Sequence, residues 1–132
     1  MINFDEVENK ILKVTDKDQL KKIREVVNYS MTIAKAECPN KIEEVTIASY
    51  LHNVLKNSNL NIDFATKFLL SFPNLDHQKI LHAIKYHKEE RITKDPMIGS
   101  VWDGYLLAQE NNEIDIMSTA KGIEILLSNQ TC

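Results

Sequence analysis

Apolar residues recur three or four positions apart along most of this chain, and this helical spacing is the feature that most restricts its fold. The clearest run carries them at Leu20, Ile23, Val26, Val27, Ile33 and Ala34. Such a stripe covers one face of an α-helix, whereas a half-buried strand alternates apolar and polar residues. The sequence shows no such alternation, and glycine and proline number only 3 each. The chain is therefore predicted to be all-α.

Capping signals divide this pattern into about six to seven helices. Thr15 with Asp18 resembles a capping box, and Asn40 with Glu43 is a second such pair. Asp95-Pro96 is a suitable cap and first-turn pair for a later helix. The predicted helices span about 4–14, 15–36, 40–55, 63–70, 76–89, 95–106 and 114–127. We expect them to form one compact, single-domain bundle over residues 1–132.

Charge and hydropathy exclude several classes of partner. The chain has 16 basic and 19 acidic residues, so no overall field draws it toward nucleic acid or an anionic membrane. No segment approaches the about 18 apolar residues of a membrane span, and the acidic opening residues do not resemble a secretory signal. Cys38 and Cys132 are too few for a disulfide framework. We therefore expect the protein to be located in the reducing environment of the cytoplasm.

A polar pair, His52-Asn53, interrupts the apolar stripe of the third predicted helix. The spacing places His52 on the inward face, where an imidazole needs a hydrogen-bond partner or a ligand. Tyr29 and Tyr105 fall on the inward stripes of two other predicted helices. Their hydroxyl groups are therefore expected in the same interior as His52.

Two segments resemble motifs of the HD-domain phosphohydrolases. Residues 29–36 are similar to the family's His-Ser-x-x-Val-Ala helix, with Tyr29 in the place of the histidine. Residues 48–56 resemble its Ala-Leu-Leu-His-Asp-Ile-Gly-Lys segment, with Asn53 in the place of the aspartate. The alanine, leucine, histidine and lysine of that segment are kept.

Two later segments extend the resemblance. Residues 84–87 are similar to the Ile-x-x-His helix of many members, and residues 102–107 resemble the Trp-Asp-Ala-Asp-x-Leu segment. In the latter, Tyr105 stands where the last metal-binding aspartate is expected. The order and spacing of all four segments carry the resemblance, which is strongest over residues 22–109 and implies an HD-domain-like bundle.

The resemblance also implies a metal site at Tyr29, His52, Asn53 and Tyr105, where the family activates water against a phosphate ester. Only His52 keeps a ligand of the family type. The neutral amide of Asn53 is a poor substitute for a carboxylate, and ionising a tyrosine at pH 7 costs about 4 kcal/mol. We therefore expect a vestigial site without metal or other cofactor, in which the tyrosines fill the vacated volume.

The leading hypothesis is a catalytically degenerate HD-like domain that acts as a binding, regulatory or structural module. Its expected partner is a phosphorylated small molecule held by Lys56 and Lys85, a protein, or a second copy of the chain. A lysine in the last turn of a helix is also what the helix dipole favours. The alternative is a phosphohydrolase that uses Mn, Fe, Ni or Zn in a rearranged site of His52, Asn53 and His87.

Overall fold

The structure, a computed structural model, describes residues 2–86, 92–109 and 117–130. These residues form seven α-helices joined by turns, with no strand among them, so the all-α prediction is confirmed. The helices are α1 (Phe4–Leu12), α2 (Lys17–Glu37), α3 (Ile42–Leu51), α4 (Ser58–Phe68), α5 (His77–Tyr86), α6 (Pro96–Leu107) and α7 (Ala120–Gln130). Two short 3₁₀ segments lie at Pro39–Lys41 and Leu69–Ser71. Over the described residues, every helix is too short or too polar to cross a membrane.

The long helix α2 organises the bundle. It packs most extensively against α6 and α3, and it also contacts α1 and α7. Its buried face contains the residues of the predicted stripe, namely Leu20, Ile23, Val26, Val27, Ile33 and Ala34. The crossing with α6 is close at Gly104, since a Cβ atom there would overlap Ser30 and lie 2.9 Å from the Ser30 amide nitrogen.

Two apolar clusters lie inside the bundle. The main cluster draws on α1 to α6 and includes the buried Trp102, whose indole N–H donates to the Ala83 carbonyl over 3.0 Å. The second cluster, which we call the tyrosine cluster, is smaller and lies between α2, α6 and α7. Its members are Ile33, Leu106, Leu107 and Met117, with Tyr29, Tyr105, Ile125 and Leu126 packed against them.

The helix caps agree with the sequence in part. The Asp95 carboxylate accepts from the N–H groups of Met97 and Ile98, which confirms the predicted start of α6. The prediction of Thr15 as a cap is wrong, because Asp16 caps α2 by accepting from the Gln19 N–H over 2.8 Å. Asn40 is also wrong as a cap: it lies inside the first 3₁₀ segment, and Lys41 precedes α3 without a side-chain cap.

Several predicted helix boundaries also differ from the structure, including the end of the last helix, which lies at Gln130 instead of residue 127. Helix α3 ends at Leu51 instead of continuing to residue 55, and α4 begins at Ser58 instead of near residue 63. Residues 117–119 are not helical, so α7 starts later than the predicted residue 114. The predicted ends of α5 (87–89) and beginning of the last helix (114–116) lie outside the described residues. Side chains from elsewhere in the fold stop α3 and start α7.

Candidate functional site

The His52-Asn53 pair lies in the turn after α3, where the side chain of Asn61 replaces helical hydrogen bonds. Asn61 Oδ1 accepts from the N–H groups of Val54 and Leu55, both over 3.0 Å. Its Nδ2 donates to the carbonyl groups of the last helical residue and of His52, over 3.0 and 3.2 Å. These four bonds pair backbone groups on both sides of the His52-Asn53 pair, which the end of a helix would otherwise leave without partners.

Helix α2 holds the same turn from the opposite side. The Gln19 side chain donates from Nε2 to the Asn53 carbonyl over 2.7 Å. The turn is therefore bound by α4 through Asn61 and by α2 through Gln19. Two amide side chains thus set the position of the His52-Asn53 pair.

The imidazole of His52 is buried, with 3% of its surface exposed. Its Nδ1 lies 2.6 Å from the carbonyl oxygen of Ser49, so Nδ1 carries the proton and donates. The predicted inward position and the predicted hydrogen bonding of His52 are thus found, with a backbone acceptor. The imidazole ring also packs against the ring of Tyr105, with the ring centroids 5.5 Å apart.

Tyr29 and Tyr105 both belong to the tyrosine cluster, although they come from α2 and α6. Tyr29 and Tyr105 are both half-buried and pack against the same apolar residues. Burial raises the pKa of the Tyr105 hydroxyl above its ordinary value of 10.0. The neutral phenol is therefore favoured over the phenolate that a metal would require.

A cleft of about 430 Å³ lies on one side of the His52-Asn53 pair, between the turn, the start of α4 and the end of α5. We call this the smaller cleft, because a cleft of about 800 Å³ lies on the other side of the pair. Both lysines predicted to contact phosphate, Lys56 and Lys85, line the smaller cleft. Ser58 and Asn59, in the first turn of α4, line it too, and Asp63 contributes a carboxylate. The structure therefore brings Lys56 and Lys85 together with His52 and Asn53 around one cleft.

The two lysines differ in their surroundings. Lys56 is exposed and lies beyond the end of α3, so its predicted place in the last turn of a helix is wrong. Lys85 does lie in the last turn of α5, with its ammonium group 5.3 Å from the centre of the Tyr86 ring. Lys56 is therefore available to a ligand without helix-dipole stabilisation of its own.

A larger cleft of about 800 Å³ lies on the other side of the pair, along the first half of α2. His52, Asn53 and Tyr105 all line it, so three of the four positions matched to the family's metal site face one space. Helix α2 adds charged residues of both signs to its wall, namely Asp18, Lys21, Lys22 and Glu25. The lining therefore has no net charge that selects an anion.

Metal ligands do not gather in the part of the chain that the structure describes: no three His, Cys, Asp or Glu side chains there lie close enough to hold an ion. His87, the third member of the rearranged hydrolase site, falls outside the described residues. The metal-dependent alternative and the expectation of no cofactor both stay predictions.

A second polar centre, which the sequence analysis missed, lies at the start of α7. The fully buried Asp103 accepts from the N–H groups of Ser118 and Thr119, both over 2.8 Å, and from the Thr119 hydroxyl over 2.6 Å. Burial raises the pKa of the Asp103 carboxyl, while these hydrogen bonds oppose the increase and the charge of Glu37 adds to it. Asp103, which belongs to the segment 102–107 described above, thus binds the backbone just before α7.

Asn61 was missed as well, although the sequence contains a signal for it. It shares the buried face of α4 with Ala65 and Phe68, at helical spacing. A polar residue in such a stripe requires internal partners, which is the same argument that singled out His52. For Asp103 the signal is weaker, because its partners lie about fifteen residues further along the chain.

No protein-family model, curated protein or solved structure matches this chain. The candidate site is therefore interpreted from its own residues and from the resemblance of the four segments.

Proposed function

We propose that this chain is a catalytically degenerate HD-like domain that binds a phosphorylated small molecule without hydrolysing it. The observation that carries the proposal is the packing of the Tyr105 ring against the buried imidazole of His52, at 5.5 Å between centroids. A neutral phenol whose pKa is raised by burial stands where the resemblance implies a carboxylate. Water activation by a metal would need anionic ligands at this place.

The smaller cleft is the proposed binding site. Lys56 and Lys85 supply positive charge, and the N-terminal turn of α4 adds the positive end of a helix dipole. Asp63 lies in the same lining and opposes an anion, so the ligand is expected to contact the lysine side of the cleft. Ser58 and Asn59 offer neutral polar groups to the remainder of the ligand.

The proposal includes a reducing, cytoplasmic setting and no resident cofactor. Cys38 is a buried thiol that donates to the Pro96 carbonyl over 3.6 Å, and burial raises its pKa. A thiol in such a site is unreactive and packs as a small apolar residue. Protein partners and self-association remain additional predictions.

Ligand binding is tested by thermal unfolding of the full chain with inorganic phosphate, nucleoside mono- and diphosphates, and sugar phosphates. A ligand at 100 times its dissociation constant stabilises the folded state by about 2.7 kcal/mol. We expect one phosphorylated compound to raise the unfolding temperature, and the matched unphosphorylated compound to leave it unchanged. Product analysis of the same mixtures should show no release of phosphate.

Two substitutions assign the site. Lys56→Ala and Lys85→Ala should each weaken binding of that compound, whereas Lys67→Ala, on the exposed surface of α4, should not. Equal weakening by all three variants would show a nonspecific charge effect. Absence of a shift with every phosphorylated compound would refute the binding function, and chelator-sensitive phosphate release would favour the hydrolase.

A further inference from the structure

Helix α7 contributes little to the apolar interior. Among the residues of α7 whose burial the structure describes, 120–129, only Gly122 is buried. Ile125 and Leu126 pack half-buried on the tyrosine cluster, and Ile123 and Leu127 are 45% and 55% exposed. The buried members of the main cluster all precede α7. Removal of α7 would therefore leave the main cluster intact.

The first turn of α7 is held instead by polar groups of two other helices. Asp103 of α6 binds the backbone of Ser118 and Thr119, as described above, and Glu37 of α2 accepts from the Lys121 N–H over 2.8 Å. The Thr119 hydroxyl, itself bound to Asp103, accepts from the Gly122 N–H over 2.9 Å. These bonds satisfy N–H groups that a helix start leaves unpaired, and carboxylates are favoured there by the helix dipole.

Gly122 makes this arrangement sterically feasible. A Cβ atom at this position would collide with the Asp103 carboxylate and lie 2.8 Å from the Thr119 hydroxyl. The glycine lowers the intrinsic stability of α7. It also allows the backbone of α7 to approach the buried carboxylate, so a helix of low intrinsic stability is held mainly by hydrogen bonds to Asp103 and Glu37 near its first turn.

We propose that α7 is a detachable strap, which opens as a unit while the rest of the bundle stays folded, and that Asp103 and Glu37 form its latch. Local opening of this kind is expected where few apolar groups are buried. When closed, α7 covers the tyrosine cluster. When open, it uncovers Leu106, Leu107 and the adjoining side of Tyr105, which also lines the larger cleft. Opening of α7 requires no bound ligand and is independent of the proposed binding function.

The test is native-state hydrogen exchange of the full chain, followed by mass spectrometry. In the wild type, the amides of residues 122–129 should exchange faster than the amides of α3, which belongs to the main cluster. Glu37→Ala and Asp103→Asn should each accelerate exchange in α7 about tenfold or more, as expected for loss of a charge-assisted hydrogen bond. Exchange in α3 should stay unchanged.

Glu25→Ala is the matched control, since it removes an exposed carboxylate from the same helix as Glu37. It should leave exchange in α7 as in the wild type. If Asp103→Asn does not fold, Glu37→Ala decides the result. The strap is refuted if α7 and α3 exchange together in the wild type, if Glu37→Ala leaves α7 unchanged, or if Glu25→Ala accelerates α7 equally.

Discussion

The imidazole of His52 lies edge-on against the phenol ring of Tyr105, with centroids 5.5 Å apart and ring planes inclined by 65°. Aromatic rings at this distance and angle attract each other beyond the effect of burial alone. His52 is also tied to the carbonyl of Ser49 through Nδ1. His52 is therefore held in the packed interior by contacts within the chain.

Restoring the ligands of the resembled family should create a metal site. The triple substitution Tyr29→His, Asn53→Asp and Tyr105→Asp replaces two phenols and an amide by groups that hold divalent metals. We expect the variant to retain stoichiometric Mn, Fe, Ni or Zn after dialysis, measured by elemental analysis, and the wild type to retain none above the buffer background. Stoichiometric metal in the wild type would contradict the loss of the metal site and favour the hydrolase, whereas a folded triple variant without metal would contradict the resemblance.

Removing the Asn61 side chain should destabilise the protein through the turn that it holds. Asn61→Ala leaves the N–H groups of Val54 and Leu55 and two carbonyl groups without their present partner. We expect a loss of about 3 kcal/mol in the free energy of unfolding, measured by urea denaturation. Asn59→Ala, at an exposed position of the same helix, should change it by less than about 0.5 kcal/mol. Similar effects of both variants would disprove the role of Asn61.

Glu8 should give the protein part of its sensitivity to acid. The hydrogen bond from Arg24 lowers the pKa of Glu8 below its ordinary value of 4.5; burial opposes this effect, and the Tyr50 hydroxyl, which donates over 2.8 Å, supports it. A carboxyl whose pKa falls on folding stabilises the protein above its unfolded pKa and loses that contribution as pH falls through the folded pKa.

We therefore expect the difference in stability between the wild type and Glu8→Gln to shrink as the pH is lowered below 4.5. Urea denaturation at a series of pH values measures it. Glu6→Gln, at an exposed position of α1, serves as the control and should lack this trend. A difference between the wild type and Glu8→Gln that is independent of pH would show that only packing is lost.

Gly104 should not tolerate even a methyl group, because α2 and α6 cross there. A Cβ atom at residue 104 would overlap the Ser30 hydroxyl and lie 2.9 and 3.0 Å from the Ser30 N and Cα atoms. We expect Gly104→Ala to lower the free energy of unfolding by about 2 kcal/mol or more. Adding Ser30→Ala should restore only part of this loss, since the backbone contacts remain.

Gly99→Ala is the comparison for this prediction. Its Cβ atom would lie 3.1 Å from side-chain atoms of Ser118 and Thr119, outside the crossing with α2. Thermal and urea unfolding should show a smaller loss than for Gly104→Ala. Complete rescue of Gly104→Ala by Ser30→Ala would mean that the hydroxyl, not the helix separation, causes the strain.

Local signals in the sequence predicted the helices and their buried faces because both depend on residues near in the chain. The stripe from Leu20 to Ala34 is buried as predicted, and Asp95 caps α6. Thr15 and Asp16 are adjacent and have similar capping ability, so the local pattern does not distinguish them, and Asp16 is the residue that caps α2. The boundary errors at residues 51 and 120 arise where side chains of other helices end or begin a helix. The start of α4 at residue 58 has a local cause that the sequence prediction missed, because Asn57 caps it by accepting from the Leu60 N–H over 3.0 Å.

The sequence by itself determined that the chain is helical and that His52 points inward. Only the tertiary structure decided that Asn61 and Gln19 hold the His52-Asn53 turn, and that Asp103 and Glu37 bind the start of α7. The physical reason is the range of the interactions. Periodicity and burial are properties of one helix, whereas the partner of a buried amide or carboxylate depends on how separate helices pack.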